Sequence, residues 1–404
     1  MKETILCLSS QRWRDPLWTN KQHVMSRMKE HYRVVHVDYG LRPLPQYLVE
    51  RAWHHRRSLW PPHRALTDGV VPVEEDLYLG DAYSPLVAGA FPHAHPVRDF
   101  FTFDAKVLMA RRFLKRTKSK PIVWVYHPGF ADAVERVDRK LLVYDCVDNY
   151  EAFPTYRDDP GWLMAREERL CRNADLVFCT SRALYESRRE FNPENTFLVH
   201  NVGDAEHFGA ALLDSTEVPE EIASLEGPVV GFVGAVSDYK LNMEWLIRTA
   251  EARPEWNLVV IGPVGMADPT TEVGALRALK NVHLLGRRDY QELPKYLKGF
   301  DVAVIPYRLN AYTESVFPIK FFEFLATGKP VVISDLPALR EFSEYVGVAR
   351  DAGEFIEWCE AYLEDDDPEE RAARVEVARL HSWPQRVGTL REHVERKLAE
   401  LQQG

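Results

Sequence analysis

A carboxylate at residue 323 stands three residues after a lysine and five after a proline in Ser315-Val-Phe-Pro-Ile-Lys-Phe-Phe-Glu323. These residue types suit phosphate and ribose chemistry. The spacing predicts a loop leading into a helix, and the amides near Val316 and Phe317 would then lie at the helix N-terminus, where unpaired N–H groups and the dipole favour an anion. Pro318 has no N–H to lose in a first turn. Lys320 adds a positive charge beside the phosphates, and Glu323, about one and a half turns into the helix, can accept two ribose hydroxyls. Gly328 is expected to end the helix, and Val331-Val-Ile333 to return the chain to a sheet.

Three further segments carry chemistry-bearing residues just after apolar runs. Gly231-Phe-Val-Gly234-Ala-Val-Ser-Asp238-Tyr-Lys240 precedes an expected helix over Asn242–Glu251, so its loop opens at the carboxyl edge of a sheet, where ligands of open α/β sheets bind. Read structurally, Gly234 is a tight turn and Lys240 a solvated helix start. Gly286-Arg287-Arg288 and Pro306-Tyr307-Arg308 open on the same edge. The alternative for Arg287 or Arg288 is a surface pair with Asp289 or Glu292. In the first half, Ser9-Ser10-Gln-Arg12-Trp13-Arg14-Asp15-Pro16-Leu-Trp18 is a loop able to bind phosphate and stack on a ring, or to pack its tryptophans on the domain. His127 in Tyr126-His127-Pro128-Gly129 and Asp148 in Asp145-Cys-Val-Asp148-Asn149 also follow apolar runs, and each is equally at home as a satisfied turn residue.

The elements that must position these residues are short apolar runs alternating with longer amphipathic segments, the pattern of parallel sheets covered by helices on both faces. Expected strands in the first half are Ile5–Leu8, Val34–Val37, Ile122–Tyr126, Leu141–Asp145, Leu176–Cys179 and Thr196–His200. Those of the second half are Val229–Val233, Leu258–Ile261, Val282–Leu284, Val302–Ile305 and Val331–Ile333. A chain of 404 residues exceeds one compact core, and two doubly wound α/β domains follow. The polar segment Asn201–Pro228, with turns at Gly203 and Gly227, is the linker candidate, and Trp383-Pro-Gln-Arg386 opens a last helix.

A net charge of −10 argues against a general nucleic-acid binder. Cys7, Cys146, Cys171, Cys179 and Cys359 have no metal-ligand or redox spacing and read as free thiols of a reducing compartment. The N-terminal apolar run is too short for a signal peptide, and no window reaches the roughly 18 apolar residues that span a bilayer. Arg51-Ala-Trp53-His54-His55-Arg56-Arg57-Ser-Leu-Trp60-Pro-Pro-His63-Arg64 is basic and interleaved with aromatics, which suits an anionic membrane surface or a solvated excursion.

The 315–334 stretch resembles the nucleotide-binding signature of GT-B glycosyltransferases, especially the large, mostly retaining family-4-like group that carries a Glu, seven residues and a second Glu. Glu323 falls at the second Glu. The first falls on Ser315, with Glu314 one residue early. The form Ser-x-x-Pro-x-Lys-x-x-Glu is similar to bacterial cell-surface polysaccharide transferases of the teichuronic-acid type. Asn201-Val-Gly-Asp204 followed by Phe208 resembles the pattern that closes the first domain of this superfamily, with its middle pair exchanged.

The resemblance implies two Rossmann-like domains facing across a cleft: an acceptor-side domain over 1–208, a nucleotide-sugar domain over 209–380, and a helix over 381–404 crossing back to the first. It implies that Gly234, Lys240, Lys320, Val316 and Phe317 meet the diphosphate, Glu323 the ribose, and Arg287 and Tyr307 the base. Ser315 then lies near the transferred sugar, and Asp148 or His127 touches the acceptor or acts as a base, as an inverting reaction requires. The expected activity is metal-independent transfer of the retaining type: a sugar moves from a nucleoside diphosphate sugar, a UDP-sugar by preference, to a hydroxyl of a glycan, lipid-linked glycan or small aglycone. No cofactor is expected beyond that donor, and no nucleic-acid partner. The expected location is cytoplasmic, with 51–64 as a peripheral contact at the inner membrane face. The competing readings are a GT-B nucleotide-sugar epimerase, which needs no acceptor, and a non-catalytic nucleotide-sugar-binding scaffold.

Overall fold

The computed structural model describes residues 2–15, 18–38, 70–80, 99–153, 156, 159–266 and 268–403. The basic and aromatic segment 51–64 lies outside them. The chain divides into two units, 1–199 with 387–404, and 200–386.

Among the described residues the first unit is built on eight strands: β1 (Thr4–Leu8), β2 (Arg33–Val37), β3 (Val70–Glu74), β4 (Leu77–Gly80), β5 (Ile122–Val125), β6 (Leu141–Cys146), β7 (Leu176–Cys179) and β8 (Thr196–Leu198). Their order is β3-β4-β2-β1-β5-β6-β7-β8, parallel except for the antiparallel β3/β4 pair. Ile5 pairs with both Val34 and Ile122, which puts the switch point of the doubly wound order at β1 and β5. The central strands are apolar on both faces because helices cover both, as β5, β6 and β7 show by complete burial. The β3/β4 hairpin escapes the sequence pattern because Pro72 interrupts its strand; β3 is an edge strand, where a missing donor is tolerated.

The second unit has six parallel strands, β9 (Val229–Val233), β10 (Asn257–Ile261), β11 (Val282–Gly286), β12 (Val302–Ile305), β13 (Val331–Ser334) and β14 (Gly347–Ala349). Their order, β11-β10-β9-β12-β13-β14, places the switch point between β9 and β12. Gly231 is a packing residue of β9: a Cβ there would come within 2.1 Å of the Phe300 ring, which is fully buried beneath it. The three-residue β14 is too short to announce itself by periodicity.

The last helix, Trp383–Gln403, starts in the second unit, and its residues from Val387 onward belong to the first. Trp383, Val387, Leu390 and Val394 form its buried stripe at helical spacing. Within the first unit His393 packs 4.1 Å from the Phe197 ring, and Lys397 Nζ donates to Asn195 Oδ1 at 2.9 Å.

Candidate active site

The loop after β9 and the loop after β12 meet at the switch point of the second unit. Gly234 has φ +153°, and its N–H donates to Ile261 O at 2.8 Å. A Cβ on Gly234 would lie 1.9 Å from Lys320 Nζ, so the missing side chain is what admits the ammonium to this backbone. Gly262, φ +149°, is needed for the same reason one strand over: its Cβ would fall 1.9 Å from Gly234 O.

Lys320 Nζ sits 4.3 Å from the Phe232 ring centroid and 5.3 Å from that of Tyr307. Lys240 Nζ sits 5.1 Å from the same Tyr307 ring and 5.9 Å from Tyr312. Two ammonium groups thus share one buried tyrosine. Burial holds Lys320 below the ordinary lysine range, with the Lys240 charge pushing the same way and Tyr307 opposing it. Among the described residues no carboxylate is in ion-pair contact with Lys320, so an anion bound here would relieve repulsion already present.

The β12 loop is rigid because its own polar groups tie it down. Asn310 Oδ1 accepts from the N–H groups of Tyr312 and Thr313 at 3.0 and 3.1 Å, and Asn310 Nδ2 donates to Tyr239 O at 2.7 Å. Tyr307 O accepts from Ser334 Oγ at 2.6 Å. Arg308 turns its Nε to Leu241 O at 3.3 Å and so braces the two loops against each other.

Two expectations about the 315–323 stretch need correction. The helix is only six residues, Lys320–Leu325, so Pro318 precedes it, Glu323 lies in its first turn, and its dipole is a smaller contributor than expected. The Val316 N–H already donates to Thr313 O at 3.2 Å, whereas no hydrogen bond among the described residues uses the N–H of Phe317. Ser315 closes the short turn Thr313–Ser315 and is half-buried, while Glu314 beside it is exposed. The helix ends at Leu325, and Gly328, φ +73°, closes the turn that follows, its N–H reaching Leu325 O.

Glu323 is half-buried. Burial pushes its carboxyl from the ordinary 4.5 up to about 8, the Asp204 charge adds to the rise, and Lys320 opposes it. The segment bearing Asp204 reaches this helix through Gly203, where a Cβ would lie 2.7 Å from Glu323 N. Gly203 is therefore a close-approach glycine and not the turn expected from its sequence context.

Of the two arginines after β11, Arg288 is held by Glu221, with Nε–Oε1 at 3.0 Å and Nη2–Oε2 at 2.8 Å, and by Tyr296 Oη at 2.8 Å. Its partner is neither Asp289 nor Glu292; the latter pairs with Lys295. The Arg287 side chain is exposed and makes no ion pair or hydrogen bond among the described residues, which leaves it available to a ligand.

In the first unit, the loops after β1, β5 and β6 come together at the carboxyl edge. Asp148 Oδ2 lies 3.6 Å from Nζ of Lys21, a buried lysine in the first turn of helix Asn20–Met28. Tyr150 Oη donates to Tyr126 O at 2.8 Å and lies 3.0 Å from Ser10 Oγ. Sequence reasoning missed Lys21 and Tyr150, because only the sheet order makes β1, β5 and β6 neighbours. His127 is almost fully buried; its Nδ1 accepts from Gly129 N at 3.0 Å and its Nε2 meets Tyr156 Oη at 2.8 Å. Accepting at Nδ1 puts the proton on Nε2, so the ring caps the Pro128–Phe130 turn and has no lone pair to offer a hydroxyl. Asp148 is the better placed of the two candidates. Trp13 is core, with its N–H on Asp38 Oδ1 at 2.8 Å, and Trp18 is the exposed member of the pair.

All five cysteines are buried and free. No group of three or more His, Cys, Asp or Glu side chains among the described residues is arranged to hold a metal ion, and no described helix is long and apolar enough to cross a membrane.

Residues 227–373, which contain Gly234, Lys240, Arg287, Tyr307, Val316, Phe317, Lys320 and Glu323, match the family described as Glycosyl transferases group 1. The chain is 29% identical over 277 residues to the putative teichuronic acid biosynthesis glycosyltransferase TuaH of Bacillus subtilis (strain 168), covering 65% of this chain and 68% of TuaH. In fold it is similar to sucrose-phosphate synthase from Thermosynechococcus elongatus, at TM-score 0.69 and 16% identity over 99% of this chain and 100% of that one. It is also similar to HepE of Anabaena in complex with UDP, at TM-score 0.64 and 16% identity over 98% and 100% of the two chains. The Escherichia coli trehalose-6-phosphate structure bound with UDP-2-fluoro glucose matches at TM-score 0.69 and 11% identity over 98% and 99%. With a group 1 domain over residues 227–373 and the GT-B fold throughout, the protein is a glycosyltransferase.

Proposed function

We propose that the protein transfers a sugar from a nucleoside diphosphate sugar, a UDP-sugar by preference, to a hydroxyl of a glycan, lipid-linked glycan or small aglycone, with retention and without a metal. The observation that carries this reading is the pair of ammonium groups on Tyr307 with Gly234 open to Lys320. Bond cleavage at the anomeric carbon leaves negative charge on the departing diphosphate, and Lys240, Lys320 and the Phe317 N–H stabilise it. That is the task a divalent cation performs in metal-assisted transfer. Glu323 holds the ribose, as acceptor when ionised or as donor from its protonated oxygen. Arg287, exposed after β11, is the side chain left to read the base. UDP is favoured because HepE and the Escherichia coli structure are UDP-bound.

Retention is the reading supported by the two base candidates among the described residues. His127 is committed to its turn, and Asp148 lies beside a buried lysine; in a retaining reaction the leaving diphosphate itself takes the acceptor proton. Asp148 and Lys21 then orient acceptor hydroxyls. Polysaccharide assembly is the context favoured by the likeness to TuaH.

The test is titration of the protein with UDP, GDP, ADP and dTDP and their sugar conjugates, followed by turnover of the conjugate that binds. Donor-specific binding that disappears in Glu323→Ala, with glycoside formed only when an acceptor is added, supports transfer. A new nucleotide sugar formed from donor alone would instead make the protein an epimerase, and binding with no turnover over a broad acceptor panel would make it a scaffold.

A further inference from the structure

The Phe317 carbonyl accepts a 2.7 Å hydrogen bond from Asn201 Nδ2, a contact between residues 116 apart in sequence. Asn201 is buried, and the His200 ring rests 5.1 Å from the Phe317 ring. The bond matters because of what Phe317 cannot obtain elsewhere. The next residue is Pro318, whose nitrogen carries no hydrogen and whose ring locks φ, so the 317–318 peptide presents only a carbonyl. A buried carbonyl that loses its donor is left unsatisfied, at a cost that a shift of the loop would relieve.

The same strap continues onto the helix. Gly203 packs its Cα against the backbone at Phe322 and Glu323, its N–H donates to His381 O at 3.2 Å, and the His381 ring stacks on Phe322 at 4.5 Å and 5°. Residues 201–203 therefore hold, at one end, the Phe317 carbonyl and, at the other, the turn that carries Glu323.

We infer that Asn201 is a positioning residue for the donor diphosphate: by holding the Phe317 carbonyl, its carboxamide fixes the backbone on one side of the Phe317 Cα, and so the orientation of the Phe317 N–H on the other side, which with the Lys320 ammonium then meets the leaving phosphate. This rests on the donor reading proposed above. Asn201 touches no reacting atom; it acts through Phe317. The consequence is selective, because a nucleoside lacks the phosphates that the Phe317 N–H serves, whereas general loosening of the unit would weaken nucleoside and nucleotide alike.

The experiment measures dissociation constants of UDP, GDP, ADP and dTDP and of the four corresponding nucleosides, for the full chain and for Asn201→Ala and Asn201→Asp. For the base that binds best, the wild-type protein is expected to prefer the diphosphate over the nucleoside, and Asn201→Ala to reduce that preference about tenfold while nucleoside affinity stays within about twofold. Asn201→Asp replaces the donor by an oxygen facing the carbonyl and should reduce the preference further. A preference unchanged in both variants, or in the one that remains folded by circular dichroism, overturns the role of Asn201. If the wild-type protein prefers none of the four diphosphates over its nucleoside, the donor reading falls first, and the two failures are thereby distinguished.

Discussion

The Cβ that Gly234 lacks would stand 1.9 Å from the Lys320 ammonium, and this one contact ties the strand-end glycine to the lysine of the helix that follows β12. Gly234→Ala should therefore act twice. Alanine is strained at φ +153°, at a cost of about 1–3 kcal/mol, and its methyl displaces Lys320 from the Phe232 and Tyr307 rings. The expected result is a folded protein whose affinity for a nucleoside diphosphate falls at least about tenfold, read by calorimetric titration.

Lys320→Met should separate stability from catalysis. Burial holds the lysine below its ordinary 10.5, so the charged form opposes folding at neutral pH. Its folded value lies below its unfolded value; the unfolded chain binds more protons in that window, and the opposition fades as pH rises toward 10.5. The methionine variant is expected to melt higher than wild type at pH 7, with the gap closing toward pH 10. Its turnover should fall about 100-fold or more, from loss of charge at the leaving diphosphate.

Glu323→Gln has the opposite pH signature. The Glu323 carboxyl rises from 4.5 in the unfolded chain to about 8 in the folded one. Between these values the folded protein binds the extra proton, so wild-type stability declines as pH rises from 4.5 through 8. The glutamine variant lacks this decline, and the difference in melting temperature between variant and wild type should grow from pH 5 to pH 8 and then level off. A difference that stays flat over that range would show that the carboxyl ionises normally.

His127→Ala is expected to cost stability and little else. The ring caps the Pro128–Phe130 turn and bonds Tyr156, so its removal should cost about 1–2 kcal/mol in urea unfolding while kcat/KM stays within about threefold. Asp148→Ala should show the reverse balance, raising the acceptor KM or lowering kcat about tenfold or more with a smaller effect on unfolding. Equal activity losses in both would return His127 to the reacting groups.

The donor side was largely legible because its groups lie in consecutive loop and helix positions: Lys320, Glu323 and Gly328 are read from local spacing, and Gly234, Lys240 and Tyr307 from their places after apolar runs. Local spacing also sets the strands, whose burial on both faces makes them short apolar runs. Where a short-range rule is overruled by packing, the reading shifted: Pro318 stands outside a six-residue helix, and Gly203 serves close approach to Glu323 instead of a turn. Only tertiary structure decided that Lys240 and Lys320 share Tyr307, that Arg288 belongs to Glu221, that Lys21 stands beside Asp148, and that Asn201 holds Phe317. Each of these joins residues from different loops. Partners of that kind are chosen by the order of strands in the sheet and by which buried charge or carbonyl would otherwise lack compensation, and neither quantity is carried by any window of sequence.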